Sequence, residues 1–130
     1  MRYLLDTDTV SFALRGQGNV GTRLRECKPS DVSMSSITVA ELRYGADRKG
    51  SRKLHTLIDT FTGAVEVAAF DEDAAREFGR IGSILAERGT PIGEFDVLIA
   101  AHAVALRCKL VTNNTRHFSR VPGLAVENWL

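Results

Sequence analysis

Cysteine is nearly absent from this chain. Cys27 and Cys108 stand far apart, with no CxxC pair and no neighbouring metal-ligand pattern, which excludes a disulfide scaffold and a thiolate zinc site. No apolar run approaches the roughly 20 residues of a bilayer-spanning helix, so no membrane partner is expected. The apolar start is cut at Asp6, too early for the core of an export signal, and the expected location is cytoplasmic. An excess of one charge is missing too: 17 Lys and Arg stand against 16 Asp and Glu, a net +1. A bulk polycation is thereby excluded, and any nucleic-acid contact must rest on local clusters. Internal repeats, linkers and low-complexity segments are also lacking, so residues 1–130 are expected to form one domain with a single core.

What is present is an alternation of strand and helix patterns. Tyr3-Leu4-Leu5, Val32-Ser33-Met34, Val65 to Ala69 and Lys109 to Thr112 read as strands, with Leu124 to Glu127 a fifth at an edge. Between them lie helical spacings: Thr9 to Leu14; Val20, Leu24 and Cys27 behind a capping Asn19; Thr38 to Ala46; and Leu54, Leu57, Ile58 and Phe61. Ala74, Phe78, Ile81 and Leu85 follow an acidic first turn, Asp71-Glu72-Asp73, and Gly89 marks a stop. Asp96 to Leu106 is apolar nearly all round and predicts a covered central helix. Such alternation implies right-handed crossovers and a mainly parallel sheet with helices on both faces: an α/β fold in three α/β/α layers.

The chemistry begins where the first strand ends, at Asp6-Thr7-Asp8. In extended chain both carboxylates share a face, and such a pair needs a cation, a shared proton or a hydrogen-bond cage. Sites in open parallel sheets form beyond the carboxyl ends of the strands. That rule gathers Glu41, one turn into the helix after the second strand; Asp96, opening the covered helix; and Asn113 and Asn114 after the fourth strand. Simpler readings stand beside these. Asp8 or Asp96 is a helix cap, Asn113 is an ordinary turn residue, and Glu94 is solvated. Glu41 borders a predicted apolar stripe of Ile37, Ala40 and Tyr44, where an unpaired carboxylate is uncommon. Oxygen donors without histidine or thiolate suit a hard cation, Mg²⁺ or Mn²⁺. His102 reads as a packing residue, His55 and His117 as surface. Arg43, Arg48, Lys49, Arg52 and Lys53 cluster after Glu41, and Arg116, His117 and Arg120 follow the asparagines, two candidate flanks of an RNA groove.

Taken together, Tyr3 to Val10, Ser35 to Gly45 with its Glu41-Leu42-Arg43-Tyr44-Gly45, Pro91-Ile92-Gly93 through Asp96 to Ala103, Leu110 to Phe118, and Arg120-Val121-Pro122-Gly123-Leu124 to Trp129 resemble the ordered motifs of PIN-domain ribonucleases. Among these the chain is similar to the VapC toxins of type II VapBC toxin–antitoxin systems, end to end. The resemblance implies a PIN-like sandwich that cleaves RNA internally with Mg²⁺ or Mn²⁺. Asp6, Glu41 and Asp96 match the family's acids, with Asp6 and Asp96 as metal ligands. Asp8 stands where many such chains have asparagine, and Asn114 where many PIN domains place a fourth acid; both are secondary candidates. A metal-activated water would attack in line, leaving a 5′-phosphate and a 3′-hydroxyl. The resemblance also implies a tRNA substrate, a homodimer, a higher complex with a VapB-like antitoxin that inhibits it, and operator DNA bound only through that antitoxin.

Two other readings compete. Asp6-Thr7-Asp8-Thr9-Val10 also fits the first motif of haloacid-dehalogenase-like phosphatases, with Asp6 as nucleophile and Asp8 as acid/base. No later lysine-and-paired-aspartate arrangement accompanies it. A non-catalytic RNA- or partner-binding module would keep the fold with a degenerate pocket.

Overall fold

In the computed structural model, which describes residues 2–130, five short strands form one parallel sheet. They are β1 (Tyr3–Leu5), β2 (Val32–Ser35), β3 (Glu66–Ala68), β4 (Lys109–Val111) and β5 (Val126–Glu127), in spatial order β3-β2-β1-β4-β5. The first strand is central, and the chain crosses from one half of the sheet to the other between β3 and β4. Leu4 pairs with Ser33 and Leu110, and Leu5 with Met34 and Val111. Alternation along the strands divides these side chains between two cores. Leu4 and Leu110 pack with α5 (Glu72–Glu87), α6 (Glu94–Leu106) and Phe118 of α7 (Thr115–Phe118). Leu5, Met34 and Val111 pack with α1 (Thr7–Leu14), α2 (Val20–Glu26), α3 (Ser36–Lys49) and α4 (Arg52–Ala64) on the other face. The three-layer sandwich expected from the alternation is the observed one.

Several elements follow their spacing closely. Asp71 caps α5 by accepting from the Ala74 amide, and Ala74, Ile81 and Leu85 are buried. Helix α6 buries Val97, Ile99, Ala100, Ala101, His102 and Ala103, as its unbroken apolar character predicts. His102 Nδ1 lies 2.8 Å from the Ser35 hydroxyl, tying α6 to the start of α3.

Other expectations are corrected. Helix α1 begins at Thr7, two residues early, because Asp6 rather than Asp8 is its cap. Asn19 stands at the cap position of α2, but its side chain makes no capping bond. The stripe predicted on α3 is displaced: Thr38, Leu42 and Ala46 are buried, whereas Tyr44 is 69% exposed. Thr38 bonds the Thr7 hydroxyl of α1, and that packing outweighs the apolarity of a tyrosine whose hydroxyl tolerates water. Strand β3 is a largely exposed edge of three residues rather than a buried alternating strand. Near the last described residues of the chain, Trp129 stacks edge-on with Tyr3, the first residue of β1, at 5.0 Å and lies under the Arg23 guanidinium, which also pairs with Glu127 at 3.0 Å.

Ile81 is fully buried between α5 and the sheet, away from the acids. Ile81→Ala is expected to destabilise the fold by about 2–5 kcal/mol, measured by urea unfolding.

Candidate active site

Strand β1 delivers Asp6 to the carboxyl rim and holds it there from three sides. Its amide donates to the Val111 carbonyl at 3.0 Å, continuing the β1–β4 ladder by one residue. Its Oδ1 accepts from the Thr9 amide at 2.8 Å, and the Thr9 hydroxyl donates to the same Val111 carbonyl at 3.0 Å. The carboxylate is only 4% exposed. Burial pushes its pKa above the ordinary aspartate range, against hydrogen bonds from Thr112 and Thr9 that pull it down, and the Asp8 charge adds to the rise.

Glu41 reaches the same rim from the sixth position of α3. The Thr7 hydroxyl lies 2.7 Å from Glu41 Oε1 and 3.1 Å from the Thr38 hydroxyl. A carboxylate only accepts, so the Thr7 proton goes to Glu41 and Thr38 donates to Thr7. Burial raises the Glu41 pKa, the Thr7 hydrogen bond opposes the rise, and repulsion from Asp96, Asp8 and Asp6 adds to it.

Asp96 is the third residue of α6, not its cap. Gly93 holds the cap position with φ +95°, a conformation glycine reaches without the strain of a side chain, and makes no side-chain bond. The turn aims the positive end of α6 at the rim, where a carboxylate is favoured. Asp96 Oδ2 lies 3.2 Å from His117 Nε2, and the same nitrogen lies 2.7 Å from the Ile92 carbonyl. Half-burial lifts the Asp96 pKa; His117 moderates the effect and the Asp8 charge adds to it. His117, expected at the surface, is thus part of the site's wall, because α7 folds back over the turn before α6.

The secondary candidates stand further out. Asp8 is exposed in the first turn of α1, yet its charge is felt by Asp6, Glu41 and Asp96 alike. Asn114 is exposed at the start of α7, where its backbone N–H donates to the Thr112 hydroxyl at 3.0 Å. Arg43 turns away from the acids, bonding Asp59 and the Nδ1 and carbonyl of His55 on α4. His55 also contacts Asp47, so both residues brace α3 against α4. Arg48, Arg52 and Arg116 are exposed. A cleft of about 260 Å³ between α1, α3 and α4 carries Thr7 and Glu41 on its wall together with Arg15 and Lys49. Arg15 escaped the sequence reading; only the packing of α1 beside α3 shows it.

This set fits a hard cation better than a soft one. All the convergent donors are carboxylate oxygens, and burial first, with mutual repulsion adding to it, makes them harder to ionise in a way that positive charge would relieve. Among the described residues no three acidic, histidine or cysteine side chains form a ready cage. Mg²⁺ does not require one, since it keeps several waters and takes one or two carboxylates.

A parallel sheet with acids at its carboxyl rim is the architecture of a PIN domain, and residues 3–124 match that family. Over 130 residues the chain is 35% identical to the tRNA(fMet)-specific endonuclease VapC of Salmonella typhimurium, covering 99% of this chain and 98% of that protein. Ribonuclease VapC2 of Rickettsia felis is 34% identical over 132 residues, with 99% and 98% covered. Among solved structures, VapBC2 from Rickettsia felis bound to a DNA fragment from their promoter is similar with a TM-score of 0.92 at 32% identity, covering 100% of both chains. DNA-bound VapBC from Salmonella typhimurium gives 0.90 at 35% identity, covering 100% of this chain and 99% of that one. The chain belongs to the PIN-domain family and, within it, to the VapC ribonucleases. Family membership sets the phosphatase reading aside.

A raised carboxyl pKa carries a sign for stability. The folded state binds the proton of Asp6 more tightly than the unfolded chain does, so its contribution is intact below the ordinary value of 3.8 and is lost as pH rises through the raised value. Asp6→Asn keeps the cap to Thr9 and removes the buried charge. In metal-free protein it is expected to raise the thermal midpoint at pH 7, the gain vanishing below pH 3.8; melting curves across that range check it.

Proposed function

We propose that this chain is the toxin of a toxin–antitoxin pair, a Mg²⁺- or Mn²⁺-dependent endoribonuclease whose cleavage of tRNA inhibits translation. One observation supports the reading: Asp6, Glu41 and Asp96 come from three different elements toward the sheet's carboxyl rim, where Glu41 feels the charges of both aspartates. Asp6 and Asp96 are the proposed cation ligands, with Glu41 joining directly or through water. A divalent ion held there would polarise a phosphodiester and lower the pKa of an attacking water.

The chain's own residues supply position and charge. Asp6 is immobilised by the strand ladder and the α1 cap, so its carboxylate does not reorganise when charge develops nearby. Thr7 orients Glu41, and its hydrogen bond favours the ionised form against the effect of burial. Asp8, exposed above the three acids, adds negative potential to the pocket. Arg48, Arg52 and Arg116, with Arg15 and Lys49 in the neighbouring cleft, offer cations to the RNA backbone on either side of it. Arg43 is committed to Asp59 and makes a smaller contribution.

The tRNA assignment draws on the relative from Salmonella typhimurium, described as tRNA(fMet)-specific. A VapB-like antitoxin is the proposed partner because the similar solved chains are parts of VapBC assemblies. An inhibitory guanidinium among the acids would replace the cation they await. Homodimerisation, a higher toxin–antitoxin complex, and operator binding through the antitoxin alone complete the proposal, with the whole chain acting as one cytoplasmic catalytic domain.

Asp96→Ala is expected to retain its circular dichroism spectrum and to lose RNA cleavage by on the order of 10²–10³-fold. EDTA should silence the unaltered protein, with Mg²⁺ or Mn²⁺ restoring it. Sequencing of RNA 5′ ends after brief expression reads the same loss in cells; full activity in the folded variant would refute the assignment. Reversing Arg48 and Arg52 to Glu should weaken RNA binding and flatten its dependence on salt, measured by fluorescence anisotropy.

A further inference from the structure

Histidine 117 is the one imidazole that touches a proposed cation ligand, and its surroundings define which proton it carries. The Ile92 carbonyl only accepts, so the nitrogen 2.7 Å away, Nε2, must bear hydrogen. The same nitrogen stands 3.2 Å from Asp96 Oδ2, within ion-pair distance. Among the described residues no side chain or amide donates to the other oxygen, Oδ1. The ring is braced edge-on against buried Phe118, their centroids 5.6 Å apart. One nitrogen therefore joins α7, the turn that precedes α6 and the Asp96 carboxylate.

We infer that His117 is a positioning residue for Asp96: by occupying Oδ2 from a point fixed on the Ile92 carbonyl, it holds Oδ1 ready for a divalent cation. The inference rests on the metal-nuclease reading above. A carboxylate on an exposed first turn swings freely between rotamers, and each rotamer lost on binding weakens the ion's hold. Hydrogen bonds that orient a metal ligand commonly contribute 10–100-fold to affinity.

The test uses Mn²⁺ binding to the full chain without RNA, followed by the electron paramagnetic resonance signal of the free ion. His117→Ala is expected to weaken Mn²⁺ binding by about tenfold, while His117→Gln, which keeps an N–H donor, recovers part of the loss. The Mn²⁺ concentration for half-maximal cleavage should rise in parallel, with the thermal midpoint of both variants within a few degrees of the unaltered chain. Unchanged Mn²⁺ affinity in His117→Ala, beside lost affinity in Asp96→Ala, overturns the role of His117 alone. Equal losses in the Ala and Gln variants with a large fall in melting temperature overturn it as well, marking a structural residue. An unaltered chain that binds no Mn²⁺ overturns the metal reading and this inference together.

Discussion

A carboxylate buried at the end of the central strand is the constraint around which the rest of the molecule is arranged. Asp6 belongs to the β1–β4 ladder through its amide and to α1 through its side chain, so backbone pairing fixes its position. Every other member of the site comes to it. Helix α3 leaves β2, the neighbour of β1 on one side, and brings Glu41. Helix α6 precedes β4, the neighbour on the other side, and brings Asp96. The short crossover geometry of a parallel sheet makes these approaches converge on one rim, without any loop having to be long or flexible.

The cost of that convergence is electrostatic. Each of the three acids is harder to ionise than it would be in water, and Asp8 worsens matters for all of them. Neutral threonines offset part of this: Thr9 and Thr112 at Asp6, and the Thr38–Thr7 relay at Glu41. Hydroxyls stabilise anionic carboxylates without introducing a fixed positive charge that would compete with an incoming cation. The site is thus kept negative at some expense to the stability of the fold, a trade common where function needs charges that packing alone would reject.

Much of this was legible before the structure. The strands β1, β2 and β4, the covered helix and the candidacy of Asp6, Glu41 and Asp96 for one rim follow from alternation, apolar runs and the rule about carboxyl ends. Local propensity failed where tertiary contact decides. Asp8 reads as a cap by its type and place, and only the structure gives that role to Asp6, two positions earlier. The exposed face of α3 was misplaced because Thr38 is polar by type yet buried by its neighbours. His117 has no local signal at all: its partners, Ile92 and Asp96, lie more than twenty residues earlier and meet it only when α7 folds over the turn before α6.

The strand order also has a temporal meaning. Asp6 is made more than a hundred residues before Val111, which receives its amide proton, and Thr112, which bonds its carboxylate. Contacts that span more than a hundred residues cannot form while the chain between them is still being made. A nascent chain therefore carries its first acid into the cell long before it can build the pocket around it. Until β4 has been made, the carboxyl rim lacks the strand that anchors its central acid.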